Sequence, residues 1–170
     1  MERILIIGSS GAGKSTLACA LGRRLNMPAI HLDQLYWQPG WRKSDSVAFL
    51  ARVAEVLAAP RWVMDGTYAT TLPERLVRAD TVLWLDYGRA ICFCRVAKRI
   101  VSHWGRTRPD MADGCPERLD LEFLAYIWSF RRRQVPRLTA ALAQHGRHAH
   151  LHVLKTPSDT VRFLASLDQN

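Results

Sequence analysis

The sequence feature that most constrains this chain is a glycine-rich segment near the N-terminus, GSSGAGKS at residues 8–15. It matches the pattern GxxxxGK[ST] at every fixed position and lies between a strand-like apolar run and a helix-like stretch. Its glycines let the backbone curl, so that successive N–H groups and the positive end of the next helix face phosphate oxygens. The segment, called the phosphate loop below, therefore predicts nucleotide binding. It does not select a reaction, because ATPases, GTPases and kinases share it.

The side chains of the phosphate loop predict the cofactors ATP and Mg²⁺. Lys14 is expected to reach the β and γ phosphates, and the Ser15 hydroxyl to complete the shell of Mg²⁺. The residues predicted to bind the phosphates are Gly8, Ser9, Gly11, Ala12, Gly13, Lys14, Ser15 and Thr16.

Apolar β-branched runs alternate along the chain with stretches of helical period, which indicates a parallel sheet covered by helices on both faces. The predicted fold class is α/β, a three-layer α/β/α sandwich with a five-stranded parallel sheet, of the P-loop NTP hydrolase fold with a LID-type insertion. The predicted strands are 3–7, 29–32, 61–64, 81–85 and 150–154. The predicted helices are 15–25, 45–58, 88–103, 119–130 and about 136–144, with a short helical turn at 73–77.

Length and composition favour one domain over residues 1–170, since 48% hydrophobic residues suffice for a single core. The opening run ILII is too short for a signal peptide or a membrane span, so a cytoplasmic location without a membrane is expected. Cysteines 19, 92, 94 and 115 are expected to be reduced core residues. The net charge of +9 predicts attraction to polyanions, which nucleotides, nucleic acid and anionic lipid all satisfy.

Two aspartates follow predicted strands, and in open α/β sheets the ligand lies beyond the carboxyl ends of the strands. Asp65 is the predicted metal residue, and Asp33 is predicted to orient or deprotonate the acceptor of a phosphoryl group. Gly66 leaves space for substrate next to the backbone. The alternative for each aspartate is a turn or helix-cap role.

Aromatic residues crowd the segment 33–43, which together with 44–60 is the predicted acceptor-binding region. A flat acceptor stacking there, held by a neighbouring cation, is one interpretation. An apolar patch that closes the segment onto the core is the other. The residues predicted to bind the acceptor are Asp33, Tyr36, Trp37, Trp41, Arg42, Gly66, Tyr68, Arg75 and Arg131.

The segment 104–118, called the lid below, has glycine, proline and charge but no apolar period, which is typical of a functional insertion. Arg106 and Arg108 lie in it, and Arg95 and Arg99 share one face of the preceding helix. Arginines closing over a triphosphate neutralise its charge and exclude water, whereas the alternative is a solvated basic face. The predicted catalytic residues are Lys14, Asp33, Asp65, Arg99, Arg106 and Arg108.

The phosphate loop, the string WVMDGTY and the arginine-rich insertion together resemble the nucleoside monophosphate kinase group, which includes adenylate and shikimate kinases. The strings HLDQLYWQPGW, RTRPD and GCPERLDLEFL resemble the smaller adenylate-kinase-like, or DNA topology modulation (FlaR-like), proteins.

The resemblance implies roles for further residues. Asp65 and Gly66 match the Asp-Gly that adenylate kinases place near Mg²⁺, and Arg95 and Arg99 match arginines that flank adenine and phosphates. The segment Lys155, Thr156 and Pro157 would border adenine. The chain departs from adenylate kinases after Asp-Gly, where Thr67, Tyr68 and Ala69 replace Phe-Pro-Arg. The arginine that grips an AMP phosphate is therefore missing there, with Arg75 or Arg42 as predicted substitutes.

The sequence predicts an ATP-dependent phosphotransferase acting on a small acceptor, such as a nucleotide or related metabolite. The alternatives are an ATP-binding, nucleic-acid-associated regulator and a simple NTPase. The sequence contains no recognisable nucleic-acid-binding motif, and the two aspartates and the aromatic segment favour an acceptor. A monomer or dimer is expected.

Overall fold

A computed structural model describes residues 1–167 and contains a five-stranded parallel sheet with helices on both faces. In chain order its elements are β1 (Arg3–Gly8), α1 (Lys14–Leu25), β2 (Ala29–His31), α2 (Leu32–Tyr36), β3 (Trp37–Gln38), β4 (Arg42–Lys43), α3 (Ser46–Ala58), β5 (Trp62–Asp65), α4 (Leu72–Arg78), β6 (Thr81–Leu85), α5 (Arg89–Ser102), α6 (Leu121–Arg133), α7 (Val135–His145), β7 (His150–Leu154) and α8 (Pro157–Ser166).

The large sheet has the strand order β2-β5-β1-β6-β7, and every pair of neighbours in it is parallel. Parallel neighbours place all five carboxyl ends on one edge, and the chain reverses its strand order at the central strand β1. The loops that follow β1, β2 and β5 therefore meet at one edge. This confirms the predicted α/β architecture and its five strands.

The core consists of two apolar layers, one on each face of the sheet. Residues alternate along β1, so Ile4 and Ile6 pack into one layer, while Leu5 and Ile7 pack into the other. All four side chains have no exposed surface. A strand buried on both faces reads as a continuous apolar run, which is why the sequence signal for β1 is strong.

The phosphate loop touches the backbone of two neighbouring elements, and this contact requires glycine. A Cβ atom on Gly8 would lie 2.5 Å from the carbonyl oxygen of Leu85 in β6, and one on Gly11 would lie 2.3 Å from that of Cys92 in α5. Their φ angles of +142° and +81° are also unfavourable for residues with a side chain. The core of the protein therefore determines the position of the loop.

Four elements are absent from the sequence prediction: α2, β3, β4 and α8. The segment 33–43, predicted as a loop, contains most of the short helix α2 and the two-stranded pair β3–β4, and α8 follows β7. Two- and five-residue elements are too short to show a hydrophobic period. The start of α8 carries a readable signal, since Thr156 and Asp159 form a capping box with Pro157 at the first turn.

The cysteine prediction holds only in part. Cys92 and Cys115 are buried, Cys19 is half-buried and Cys94 is exposed, and no disulfide joins them. An exposed Cys94 corrects the prediction that all four fill the core, because positions 92 and 94 of α5 point to different faces. None of the helices in residues 1–167 has the length and apolar character needed to cross a membrane.

Replacing Gly11 with alanine should destabilise the protein, because the new methyl group meets the Cys92 carbonyl and the φ angle is positive. We expect the free energy of unfolding in urea to fall by about 2–4 kcal/mol. Gly88→Ala is the matched control, since no atom lies within 4 Å of its added Cβ and its φ is −57°. Equal stability of the two variants would contradict the close approach described above.

Candidate active site

The phosphate loop is held from two sides before any ligand is considered. The Gly8 N–H donates to Thr67 Oγ1 at 3.0 Å, and the Thr67 hydroxyl donates back to the Gly8 carbonyl oxygen at 2.8 Å. Arg95 of α5 donates from Nη1 to the Ala12 carbonyl oxygen at 3.1 Å. Gly13 is the N-cap of α1, so the last two residues of the loop form the start of this helix, where backbone N–H groups have no partner within the helix. The structure therefore brings Arg95 to the phosphate loop, and its predicted role beside adenine and the phosphates stays a prediction.

Lys14 lies at the centre of the site. Its Nζ donates to the Ser9 carbonyl oxygen at 3.1 Å, which holds the ammonium inside the curl of the loop. Burial lowers the pKa of Lys14, while the carboxylates of Asp65 and Asp33 act in the opposite direction. The two predicted aspartates are therefore close enough to influence the predicted phosphate-binding lysine.

Asp65 ends β5 and forms a buried pair with a histidine that the sequence prediction did not include. His31, the last residue of β2, places Nδ1 2.6 Å from Asp65 Oδ2, and the two residues are 7% and 2% exposed. The hydrogen bond to Asp65 raises the pKa of His31 above its usual value. Strand pairing explains the contact, because His31 lies directly opposite Asp65 in the sheet. One oxygen of the predicted metal residue is thus held in place.

Asp33 lies in the first turn of α2 and accepts a 2.5 Å hydrogen bond from the Tyr68 hydroxyl at Oδ1. Burial raises the pKa of Asp33 above its usual value, and the bond from Tyr68 and the charge of Lys14 oppose this. An aspartate with a raised pKa beside a cation is suited to accepting a proton. The structure thus brings Asp33, Tyr68 and Lys14 together.

The donor atoms available for a divalent cation are the Ser15 hydroxyl and the carboxylate of Asp65. Both are oxygen donors of the kind that Mg²⁺ prefers, and nucleotide phosphates usually supply the other ligands. Residues 1–167 contain no group of three or more His, Cys, Asp or Glu side chains arranged to hold a metal. Ser15 and Asp65 stay the predicted metal residues.

The predicted aromatic residues pack mainly on one another. Tyr36 contacts Trp37, Phe49 and Tyr68, with ring centroids 4.7–5.1 Å apart, and Trp37 contacts Trp41 at 5.4 Å. These rings form an aromatic row, which begins at buried Phe49 of α3 and ends on the hairpin, defined here as residues 37–43. This packing matches the interpretation in which the aromatic segment closes onto the core.

Arg75 does not face the cleft, which corrects its predicted contact with the acceptor. It has no exposed surface, and its guanidinium donates to the carbonyl oxygens of Gly66, Tyr68 and Thr71 at 2.6–3.2 Å. It therefore holds the backbone of the segment 66–71 in place from the buried side. Arg42, the other predicted substitute, is an exposed hairpin residue that donates to the Pro39 carbonyl oxygen.

The predicted arginines of α5 and the lid have different surroundings. Arg108 and Arg99 converge on Glu117, with Nε–Oε1 distances of 2.6 and 3.0 Å, and Arg108 also pairs with Asp110. The side chain of Arg106 is exposed, so the structure separates it from Arg108.

Arg131 and the segment 155–157 lie near the ends of β6 and β7. Arg131 approaches Asp86, which follows β6, at 3.4 Å, and this places it beside the phosphate loop rather than beside Asp33. Lys155 and Thr156 donate their N–H groups to Asp159, so they form the exposed start of α8. Their predicted role beside adenine stays a prediction.

Together, the strand order, the phosphate loop and the lid define the fold of the P-loop kinases. A shikimate kinase from Bacteroides thetaiotaomicron is 19% identical, with a TM-score of 0.54 over 99% of this chain and 97% of that chain. A gluconokinase from Sinorhizobium meliloti 1021 is 18% identical, with a TM-score of 0.53 over 99% and 94%. A deoxyadenosine kinase from M. mycoides is 12% identical, with a TM-score of 0.52 over 98% of each chain. No protein-family model and no curated protein sequence matches the chain.

Sequence reasoning missed three residues that organise the site: His31, Thr67 and Glu117. A signal exists for His31, since it ends β2 two positions before Asp33 in the string HLD. Thr67 follows the Asp-Gly pair and was noted only as a departure from adenylate kinases. Nothing in the sequence marks Glu117, because its two arginine partners are 9 and 18 positions away.

Replacing Arg75 with methionine should weaken folding, because buried carbonyl oxygens lose their donors. We expect the free energy of unfolding to fall by about 3 kcal/mol in urea titrations. The control is Arg42→Met, an exposed position where stability should change by less than about 0.5 kcal/mol. A stable Arg75→Met protein would contradict the supporting role described above.

Proposed function

We propose that this protein transfers the γ-phosphoryl group of ATP to a hydroxyl group of a small acceptor. The observation that supports this most directly is the position of Asp33, a partly buried carboxylate bonded to Tyr68 and coupled electrostatically to Lys14. A carboxylate at the edge of the phosphate loop is placed to take a proton from an attacking hydroxyl. An NTPase that transfers the phosphoryl group only to water needs no region that binds a second substrate beside this carboxylate.

The phosphate loop binds the β and γ phosphates through its N–H groups, the end of α1 and Lys14. Mg²⁺, held by Ser15 and Asp65 together with the nucleotide, would neutralise charge on the phosphates. His31 keeps Asp65 oriented through the 2.6 Å hydrogen bond. Arg95 holds the loop, and we place Lys155, Thr156 and Pro157 beside the adenine.

The charges near Asp33 favour a hydroxyl acceptor over an acceptor phosphate. A phosphate oxygen already carries negative charge, so it needs no base and is repelled by the carboxylate. Neither predicted substitute takes the place of the phosphate-gripping arginine, since Arg75 is occupied by backbone carbonyl oxygens and Arg42 is an exposed hairpin residue bonded to Pro39. Among the small acceptors predicted from the sequence, we therefore favour nucleosides and hydroxylated metabolites over nucleoside monophosphates.

The neighbours in fold support a small acceptor. They are named as kinases of shikimate, gluconate and deoxyadenosine, which are small molecules of different chemistry. A shared fold does not transfer the acceptor, because function resides in the site. We place the acceptor between Asp33 and the aromatic row, with 33–43 and 44–60 as the acceptor-binding region and the lid above it. Gly66 leaves no space for substrate, because a Cβ atom there would lie 2.8 Å from Leu32 Cβ, and this corrects its predicted role. The cytoplasmic location, the monomer or dimer and the FlaR-like relationship stay predictions.

The test is a coupled assay for ADP formation with panels of nucleosides, sugars, hydroxy acids and nucleotides. Turnover that rises with a hydroxylated acceptor supports the proposal. Acceptor-independent hydrolysis alone supports a simple NTPase. Tight DNA binding with a steep salt dependence and sequence preference, without turnover, supports the nucleic-acid-associated regulator.

Lys14→Ala should lower kcat/KM for transfer by roughly 10²–10³-fold while the protein stays folded, because the ammonium stabilises charge between the β and γ oxygens. Asp33→Asn should lower kcat by roughly 10²–10⁴-fold with ATP binding retained. The exposed substitutions Lys98→Ala and Glu122→Gln are the matched controls. Loss of ATP binding in Asp33→Asn would assign Asp33 to the metal instead of the acceptor.

The rate of transfer should fall as the pH is lowered through the pKa of Asp33. Only the ionised carboxylate accepts a proton, so activity is present above this pKa and is lost below it. Because burial raises the pKa of Asp33, the acidic limb of kcat/KM should lie above the range of an exposed aspartate. The residual activity of Asp33→Asn should lack this limb. The same limb in wild type and variant would show that another group is the base.

A further inference from the structure

The two ends of the lid are joined beside Glu117. The Gly105 N–H donates to the Glu117 carbonyl oxygen, and the Glu117 N–H donates to the Arg106 carbonyl oxygen, both at 3.0 Å. Inside the lid, Met111 and Cys115 are buried, with 5% and 1% of their surface exposed. The lid is therefore a folded unit, and the surroundings of residue 117 determine where its side chains lie.

Glu117 is a buried carboxylate between two guanidinium groups. It is 4% exposed, and Oε1 accepts a 2.6 Å hydrogen bond from Arg108 Nε and forms a 3.0 Å ion pair with Arg99 Nε. Arg99 belongs to α5, whereas Arg108 belongs to the lid. Two positive charges in a partly buried space repel each other, and an anion between them offsets this repulsion by attracting both. Glu117 is thus what allows the lid arginine and the α5 arginine to lie together.

These two arginines act on the reacting groups of the site. Burial is the largest influence on the pKa of Asp33 and raises it, and the charge of Arg108 opposes that effect. Burial also dominates the lowered pKa of Lys14, and the charge of Arg99 lowers it further. The geometry agrees, because Gln34, next to Asp33, donates to the carbonyl oxygen of Pro109, next to Arg108, and Arg95, one turn before Arg99 on α5, donates to the phosphate loop. The arginine pair therefore lies close to both the acceptor side and the phosphate side of the cleft.

The hairpin is bonded to the lid just before Glu117. The Trp41 Nε1–H donates to the Pro116 carbonyl oxygen at 3.0 Å, the Gly40 N–H to that of Gly114 at 2.8 Å, and the Cys115 thiol to that of Gln38 at 3.2 Å. Outside the hairpin, the Gln34 side chain of α2 donates to the Pro109 carbonyl oxygen at 2.8 Å. The contacts are close: a Cβ on Gly114 would lie 2.9 Å from Pro39 Cβ. Three consecutive lid residues are thus tied to the acceptor-binding region.

We propose that Glu117 is the positioning residue for Arg99 and Arg108, and that the hairpin sets the place of Glu117 through the lid backbone. The hairpin and the lid then move as one body. Closure over the acceptor and placement of both guanidinium groups over the phosphates become a single step. The catalytic consequence rests on the proposed function, whereas the mechanical coupling of hairpin and lid does not.

This arrangement limits wasteful hydrolysis by geometry. Arginines that reach the phosphates only when the hairpin is closed do not stabilise attack by water in an open site. The acceptor favours the closed position of the hairpin by filling the space under it.

The mechanical part is tested by amide hydrogen exchange on the full ¹⁵N-labelled chain. Trp41→Phe removes the N–H donor but keeps an aromatic ring. We expect exchange at Gly40, Gly105 and Glu117 to accelerate by the same factor, about five- to tenfold. Trp128→Phe, an exposed tryptophan of α6, is the matched control and should change none of the three. Acceleration at Gly40 alone, or at none of the three, overturns the single-body proposal.

The positioning part is tested by calorimetry with the imido analogue of ATP and Mg²⁺. Glu117→Gln keeps the shape and one acceptor oxygen but removes the charge between the arginines, so the folded variant should bind the analogue roughly tenfold more weakly. Glu122→Gln, exposed on α6, is the matched control. Wild-type affinity in folded Glu117→Gln overturns the positioning role. Absence of binding by the wild type contradicts the proposed function instead, and leaves the exchange result to decide the coupling.

The two parts are joined by a double-variant comparison of analogue affinity. If the hairpin acts through Glu117, Trp41→Phe combined with Glu117→Gln should weaken binding no more than Glu117→Gln alone. If affinity instead falls by the product of the two factors measured for the single variants, Trp41 and Glu117 act independently. This result overturns the proposed route from the hairpin to the arginines.

Discussion

The rest of the site depends on the close contact between the phosphate loop and the backbone of β6 and α5. Gly8 and Gly11 lie against carbonyl oxygens with no room for a Cβ atom, so the loop cannot shift without disturbing the core. β1 brings the loop to the edge where β2 and β5 also end. Lys14 and the strand-end residues therefore meet in a geometry that the sheet sets, and binding a nucleotide requires little reorganisation of these groups.

Every charge at the centre of the site has a counter-charge or a hydrogen-bond partner. Asp65 is held by His31, and Asp33 is held by Tyr68 beside Lys14. Glu117 holds two arginines in the same way on the lid side. Burying ionised groups costs free energy that partners must offset, so such an arrangement is retained where charge must be aimed at a ligand.

The fold and the acceptor are determined by different parts of the chain. Chains less than 20% identical to this one share its fold, which shows how weakly the fold depends on most individual residues. The acceptor side that we propose is instead built from α2, the hairpin and the lid, which contact one another through backbone carbonyl oxygens. Because most of these bonds end on the backbone, the segments can change their exposed side chains while keeping their mutual positions.

The sequence by itself determined the sheet, the helices that cover it and the phosphate loop, because buried strands and glycine turns leave strong local patterns. It also placed Asp33 and Asp65 at one edge of the sheet, since a residue that follows a strand must lie at the strand's carboxyl edge. Only the tertiary structure decided which charged side chains meet. Arg75 was assigned to the acceptor, yet its helix directs it beneath the segment 66–71. His31 and Glu117 gained their roles from partners distant in sequence, and no local period or propensity encodes such contacts.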